Sequence, residues 1–206
     1  ISSAASDVYK RQGFIGSNIV LKLLKKGYGV TVLDSLSKQI HGFNPEQTSP
    51  LFQSIKDKVN FIVGNVCHRE DWERALIDID YVIHLAAETG TGQSMYEIKK
   101  YVDTNIGGTA LLLDILTNTK HHIKRVVVAE SRAIYGEGKY YCFKCGNVYP
   151  LERKDKDMLR GDFECKCPKC NGEIEPVATT EDSVIHPSSV YGISKQVQGQ
   201  LLSLIH

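Results

Sequence analysis

The stretch VYGISK at 190–195 sets Tyr191 and Lys195 four residues apart. On a helix that spacing projects both side chains from one face. An ammonium held beside a phenol favours the phenolate, which turns a poor base into one usable near neutral pH. Such pairs also arise by chance on helices and are then inert. Ser131 changes the weight of this one. It lies in VVVAESRAIYGEG, at the end of a Val-rich run, the place where a strand of an open α/β sheet meets its ligand. Serine, tyrosine and lysine together form a candidate acid–base group.

A second chemistry is written in the cysteines. CFKCG (142–146) and CPKCNG (167–172) are two C-x-x-C knuckles separated by 21 residues, the spacing of a zinc ribbon. Each knuckle sets two thiolates on a tight turn whose glycine permits the reversal. Two knuckles complete a closed tetrahedral site, so Cys142, Cys145, Cys167 and Cys170 are the expected ligands of a structural zinc. A redox-active dithiol is the competing reading. Cys165 is a spare that could exchange with Cys167, and Cys67 reads as an ordinary core or turn residue. Five of six cysteines crowd between positions 142 and 170, which suits metal in a reducing cytoplasm better than a secreted disulfide scaffold.

Composition bounds the partners. The chain has 206 residues and a formal net charge of +1, with no basic footprint for nucleic acid or an anionic membrane surface. No apolar run has the length of a membrane span. Zinc ribbons often bind nucleic acid or protein, so a binding module on a retired scaffold is a remoter alternative to an enzyme. Residues 139–175 carry eight Lys or Arg and seven Asp or Glu, without the stripe that phosphate contacts need. A small-molecule partner is the better expectation.

The elements that must position these groups are short. GVTVLD (29–34), VNFIVG (59–64), DYVIHLAA (80–87) and KRVVVAE (124–130) read as buried parallel strands. Between them, Ile15, Ile19, Leu23 and Leu24 recur at helical spacing before Gly27, Arg69–Ile77 reads as a helix, and one long helix is expected from about Ser94 to Leu116. Alternating β and α elements predict a doubly wound, Rossmann-like α/β fold over 13–203, with a zinc-ribbon insertion at 139–177. The histidines show no ligand spacing. His84 reads as a strand residue, His121 and His122 as favouring a helix dipole, and His186 as part of a turn before Pro187.

Gly13 and Gly16 read as the last two glycines of a dinucleotide loop, which let backbone approach a pyrophosphate and a helix pack on the sheet. Asp34 ends the next strand, where a carboxylate accepts from the adenosine ribose and repels a 2′-phosphate, favouring NAD over NADP. An aspartate there also simply caps a turn.

With these motifs in place, residues 13–203 resemble the extended short-chain dehydrogenase/reductase family, the NAD-dependent epimerases and dehydratases of nucleotide sugars. GFIGSN resembles the end of that family's glycine loop, placing Gly13, Phe14, Ile15 and Gly16 on the cofactor. LDSLS resembles its ribose-binding strand end, GNVCH its adenine-contacting turn with Asn65 and Val66, and HLAA its strand behind the nicotinamide with Leu85, Ala86 and Ala87. The resemblance implies that Ser131 hydrogen-bonds the reacting sugar hydroxyl and that Tyr191 takes its proton. Lys195 would then bind the nicotinamide ribose and tune Tyr191, and Asn105 in TNIGGT would order the site. Two positions depart from the pattern: Asn65 stands for the usual aspartate, and Lys10 for the loop's first glycine. Dehydratases of the family carry an Asp-Glu pair after the catalytic Ser or Thr, where this chain has Arg132 and Ala133, so the resemblance implies 4-epimerisation of a nucleotide sugar over dehydration or reduction. AAETGTGQSMYEI and the cysteine-rich insertion resemble the dTDP-L-rhamnose 4-epimerase subgroup. A homodimer is implied for the full-length protein.

ISSAASDVYKRQ, residues 1–12, offers no apolar run to serve as a strand buried on both faces, and Lys10 would bring a Cβ where tight turning wants glycine. The expectation is a non-native scar at 1–12 and truncation at both ends, with the C-terminal sugar-nucleotide subdomain absent. Replacing 1–12 by an apolar strand ending in glycine is then expected to restore NAD binding in the full-length protein. Titration of NAD against both versions checks this, and equal, tight binding by the version carrying 1–12 overturns it.

Overall fold

The computed structural model describes residues 13–205. The expectations for residues 1–12, including the scar, the missing strand and Lys10, lie outside the described residues. Helix α1 (Phe14–Lys25) starts directly after Gly13, whose left-handed backbone (φ 75°) turns the chain into the helix. It stops as the sequence predicts: Gly27 is left-handed, and the N–H of Tyr28 closes on the Leu23 carbonyl at 3.2 Å. Of the residues read at helical spacing, Ile19, Leu23 and Leu24 are partly buried. Gly16, Ser17 and Val20 are buried, Val20 in one cluster with Val32 and Ile55, while Ile15 is 64% exposed.

Strand β1 (Thr31–Asp34) leads through three short helices, α2 (Lys38–His41), α3 (Pro45–Thr48) and α4 (Pro50–Ile55), to β2 (Asn60–Val63). After α5 (Arg69–Ala75) comes β3 (Tyr81–His84), and β4 (Arg125–Val128) follows a long helical region. β1 pairs with β2 and β3 with β4, both in parallel, as the βαβ order requires. Residues of both ladders, among them Leu33, Val82 and Ile83, line a cleft of about 720 Å³. The strands are shorter than the apolar runs. β2 and β4 are half-exposed rather than buried. The larger core gathers Leu33, Val66, Trp72, Val82, Leu112 and Ile115 from β1, the turn after β2, β3, α5 and the helical region before β4.

The single helix expected from Ser94 to Leu116 is instead four pieces: α6 (Thr91–Ser94), α7 (Ile98–Tyr101), a π-helical turn (Val102–Gly107) and α8 (Gly108–Asn118). The π turn is a widened segment of a kind that recurs at functional sites. It places Asn105, fully buried, against the loop after β3 and against α10 (Val190–Leu204). His121 contacts the Leu116 carbonyl at 2.9 Å beyond the end of α8, as expected for a residue closing that terminus.

The segment between the β4 edge and α10 carries the insertion. Strands β5 (Tyr140–Cys142), β6 (Gly146–Val148) and β7 (Glu175–Pro176) form an antiparallel sheet of order β6-β5-β7, with the short helix α9 (Asp155–Met158) between β6 and β7. Among the described residues no helix is long and apolar enough to cross a membrane.

Beneath α10 lies a buried polar network. The Thr109 hydroxyl donates to the Asn105 carbonyl (2.7 Å), so its oxygen is left to accept from His84 Nε2–H (3.0 Å) and from the Gln198 amide (2.5 Å). Valine at 109 keeps the shape but strips both donors of their acceptor. Thr109→Val is expected to cost about 2–4 kcal/mol of stability, checked by urea unfolding with an unchanged denaturant slope.

Candidate active site and sulfur cluster

Ser131 follows β4 and caps the 3₁₀ turn 132–135, its Oγ accepting from the Ala133 N–H at 3.2 Å. α10 packs on that turn through Gly192. A Cβ added there would lie 2.7 Å from the Ala133 carbonyl oxygen and 2.9 Å from Pro187, so only glycine lets the helix come this close. Ser189 caps α10, accepting from the Gly192 N–H at 3.0 Å. These contacts bring the start of α10, with Tyr191, against the Ser131 turn. The Tyr191 ring meets the Tyr101 ring edge-on at 6.4 Å.

Lys195 is 3% exposed and donates from Nζ to the Ala129 carbonyl, two residues before Ser131, at 3.0 Å. Burial pulls its ammonium down to about 8, against a smaller opposing pull from Glu130. A lysine in this range is charged at neutral pH yet close to losing its proton. Ser131, Tyr191 and Lys195, far apart in sequence, thus converge on the end of β4. His84 is buried beneath and its imidazole is driven down to about 3, by burial first and then by the Lys195 charge. It is neutral, which fits the reading of a strand residue rather than a base.

Asn105 does its work through three hydrogen bonds. Its Oδ1 accepts from Glu88 N–H (2.7 Å), and its Nδ2 donates to the Glu88 carbonyl (3.0 Å) and to Ser194 Oγ (2.8 Å). It clamps the loop after β3, where Ala86 and Ala87 are buried and Leu85 is partly so, onto α10.

At the other end of the same sheet edge, Gly13, Gly16 and Asp34 line one small cavity with His41, Phe52 and Phe61. The side chain of Asp34 accepts from the Leu36 N–H at 2.8 Å, so it does cap a turn, and it lies 3.6 Å from His41 Nε2. His41 also meets Ser49 at 2.9 Å. Nothing in the sequence singled out His41, because its partners are set by the packing of α2 and α4 over β1. The cavity holds about 20 Å³, room for a water and not for a ribose. Phe14 and Ile15 are exposed at the first turn of α1, which no side chain caps. Asn65, in the turn after β2, accepts from Cys67 N–H at 2.9 Å, while its own N–H donates to Asp71 at 2.7 Å. That N–H, followed by Arg74, holds the Asp71 carboxyl below its ordinary range. Val66 is buried behind the turn.

In the insertion the sulfurs of Cys142, Cys145, Cys167 and Cys170 all lie within 4.8 Å of one another, and those of Cys142 and Cys170 are 3.6 Å apart. A tetrahedral zinc with four thiolates at about 2.3 Å needs sulfurs about 3.8 Å apart, so the set fits that ion. Hydrogen bonding to Cys170 pushes Cys145 up; burial is the largest influence on Cys167 and raises it, but the backbone N–H groups of Cys170 and Lys169 together with the Cys170 and Cys142 thiols bring it down. Gly146 supplies the left-handed turn of the first knuckle as expected, whereas in the second it is Asn171 (φ 58°), not Gly172, that reverses the chain. Cys165 stands outside the four-sulfur group: its thiol faces Glu137 at 3.7 Å beside Arg153, so it is not placed to exchange with Cys167. Cys67 sits half-exposed in a turn, as read from the sequence.

Comparison with known proteins follows the same lines. The family model described as NAD dependent epimerase/dehydratase family matches residues 11–152, and the chain belongs to that family. It is 31% identical over 196 residues to a dTDP-L-rhamnose 4-epimerase of Burkholderia thailandensis, covering 92% of this chain and 50% of the relative. Among solved structures it is similar to a UDP-glucuronic acid 4-epimerase from Bacillus cereus in complex with UDP-glucuronic acid and NAD, with a TM-score of 0.65 and 25% identity over 94% of this chain and 49% of that one. A UDP-glucose 4-epimerase from Thermotoga maritima, solved with UDP-glucose, gives a TM-score of 0.63 and 26% identity over 95% and 49%. The fold is therefore that of Rossmann-type epimerases, and the chain spans about half the length of the relatives it matches.

Proposed function

We propose that this chain is the cofactor-binding part of an NAD-dependent nucleotide-sugar 4-epimerase acting on a dTDP- or UDP-hexose, dTDP-L-rhamnose being the favoured sugar nucleotide. The observation that carries the reading is the convergence of Ser131, Tyr191 and buried Lys195 at the end of β4. Tyr191 is the base that accepts the proton of the C4 hydroxyl. The Ser131 hydroxyl donates to the same substrate oxygen and orients it. The Lys195 ammonium favours the phenolate by its charge and offers its remaining protons to a nicotinamide ribose. A bound NAD would supply the hydride acceptor and donor for C4.

For the cofactor, the uncapped first turn of α1 at Gly13, Phe14, Ile15 and Gly16 suits a pyrophosphate, and Asp34 suits the adenosine ribose. A ribose reaching Asp34 requires the α2–α4 segment to move outward, given the 20 Å³ cavity there. Asn65 and Val66 border the adenine, while Leu85, Ala86, Ala87 and Asn105 back the nicotinamide. Arg132 and Ala133 after Ser131 provide no carboxylate pair for water elimination, which favours epimerisation over dehydration.

The insertion at 139–177 is in this reading a zinc ribbon that shapes the sugar side of the site and takes no part in the chemistry. It docks beside Ser131 and Tyr191 through Tyr149 against His186 and through the Lys139 N–H on Thr179. Exposed Ile98, Val102 and Ile193 on α7, the π turn and α10 suit a homodimer contact, and unpaired thiols suit the cytoplasm.

Two measurements test this. In the full-length protein, Tyr191→Phe is expected to abolish C4 inversion, a loss of at least about 10²-fold, while NAD stays bound. Retained turnover identifies another base, and failure of the wild type to bind any dTDP- or UDP-sugar favours the binding-module reading. Metal analysis under reducing conditions is expected to give one zinc per chain, lost together with order in the insertion on Cys142→Ser. No metal in the wild type overturns the ribbon assignment.

A further inference from the structure

Gly199 sits in the interior of α10, where glycine costs about 1 kcal/mol relative to alanine. Its surroundings explain it. A Cβ added at Gly199 would collide with the Glu130 side chain, coming 2.8 Å from its carboxyl carbon and closer still to Oε1. The Glu130 carboxylate therefore occupies the space this glycine leaves. Position 199 is one helical turn beyond Lys195, on the same face. Glu130 is also the residue directly after Ala129, whose carbonyl takes the Lys195 ammonium at 3.0 Å. The side chain of Glu130 thus lies between the strand end that binds the lysine and the helix that carries it.

We propose that Glu130 is a positioning residue for Lys195: its carboxylate, seated in the notch made by Gly199 and next in sequence to the carbonyl that holds the ammonium, is the counter-charge of the buried lysine at the end of β4. The ionisable groups packed around that ammonium are Glu130 from beyond β4, His84 from β3, and Tyr191 one turn earlier on α10. His84 is neutral and brings no charge. Glu130 alone opposes the burial that draws Lys195 down to about 8. Without it, a larger share of the lysine is neutral at mildly alkaline pH, and a neutral amine gives Tyr191 no electrostatic help. Glu130 itself is exposed, so its hold weakens as salt rises.

This inference rests on the proposed role of Lys195, but its test does not depend on turnover. In the full-length protein with NAD bound, NMR titration of the Lys195 side chain gives the midpoint of its proton loss directly. Glu130→Gln is expected to lower that midpoint by about half a pH unit, a roughly threefold rise in the neutral-to-charged ratio, with a smaller shift at high salt. Gly199→Ala, which pushes the flexible carboxylate aside and favours the helix, is expected to lower it in the same direction without loss of thermal stability. The double variant is expected to shift no further than Glu130→Gln, because both changes act through one carboxylate. In the pH profile of C4 inversion, the alkaline limb moves down with the midpoint. An unchanged midpoint in Glu130→Gln, or an equal further shift from Gly199→Ala in that background, overturns the proposal. A shifted midpoint in a protein whose Tyr191→Phe variant still turns over keeps the Glu130 assignment and sinks only the role of Tyr191 as the base.

Discussion

The docking of α10 is the constraint on which the site depends. Its fully buried positions are Gly192, Ser194, Lys195 and Gln198, so the helix is seated by hydrogen bonds and close backbone approach rather than by a large apolar stripe. Ser194 meets Asn105, Lys195 meets the Ala129 carbonyl, and Gln198 meets Thr109. Apolar contacts tolerate sliding; hydrogen bonds of fixed length and direction do not. A helix held this way has one register, and that register fixes where Tyr191 stands relative to Ser131.

The π turn at 102–107 is the counterpart of that helix. It carries Asn105, which reaches the backbone of Glu88 on one side and Ser194 on the other, and one turn on it carries Thr109, which ties in His84 and Gln198. Three elements remote in sequence are joined through the Thr109 hydroxyl, which bonds the Asn105 carbonyl, His84 and Gln198 at once. Buried polar groups of this kind are costly when unpaired. The network therefore penalises misalignment of β3, α8 and α10 at once.

The insertion solves a different problem. Its buried cluster is Cys142, Val148 and Cys167, with Tyr140, Cys145 and Ile174 packed around it, too little apolar surface to hold three very short strands. Convergent sulfurs take the place of a core. Because the insertion leaves the scaffold after Ser131 and returns before Tyr191, its stability and the geometry of the acid–base group share the same anchors, at Gly136 and His186.

Much of this was legible in local sequence. Val-rich runs at 29–34, 59–64, 80–87 and 124–130 marked parallel strands, since strands of this type are read from apolar composition alone. The knuckles at 142–145 and 167–170 marked a sulfur cluster because ligand spacing is a property of the turn itself. Family resemblance drew attention to Asn105. What the sequence could not decide were relations between distant segments. The break of the 94–116 helix, the pairing of His41 with Asp34 and Ser49, the exclusion of Cys165 from the sulfur group and the seating of Glu130 on Gly199 all depend on which surfaces meet. Spacing along the chain sets which side chains share a face. Only packing in three dimensions sets what that face touches, and so which of its charges are buried, paired or left to act.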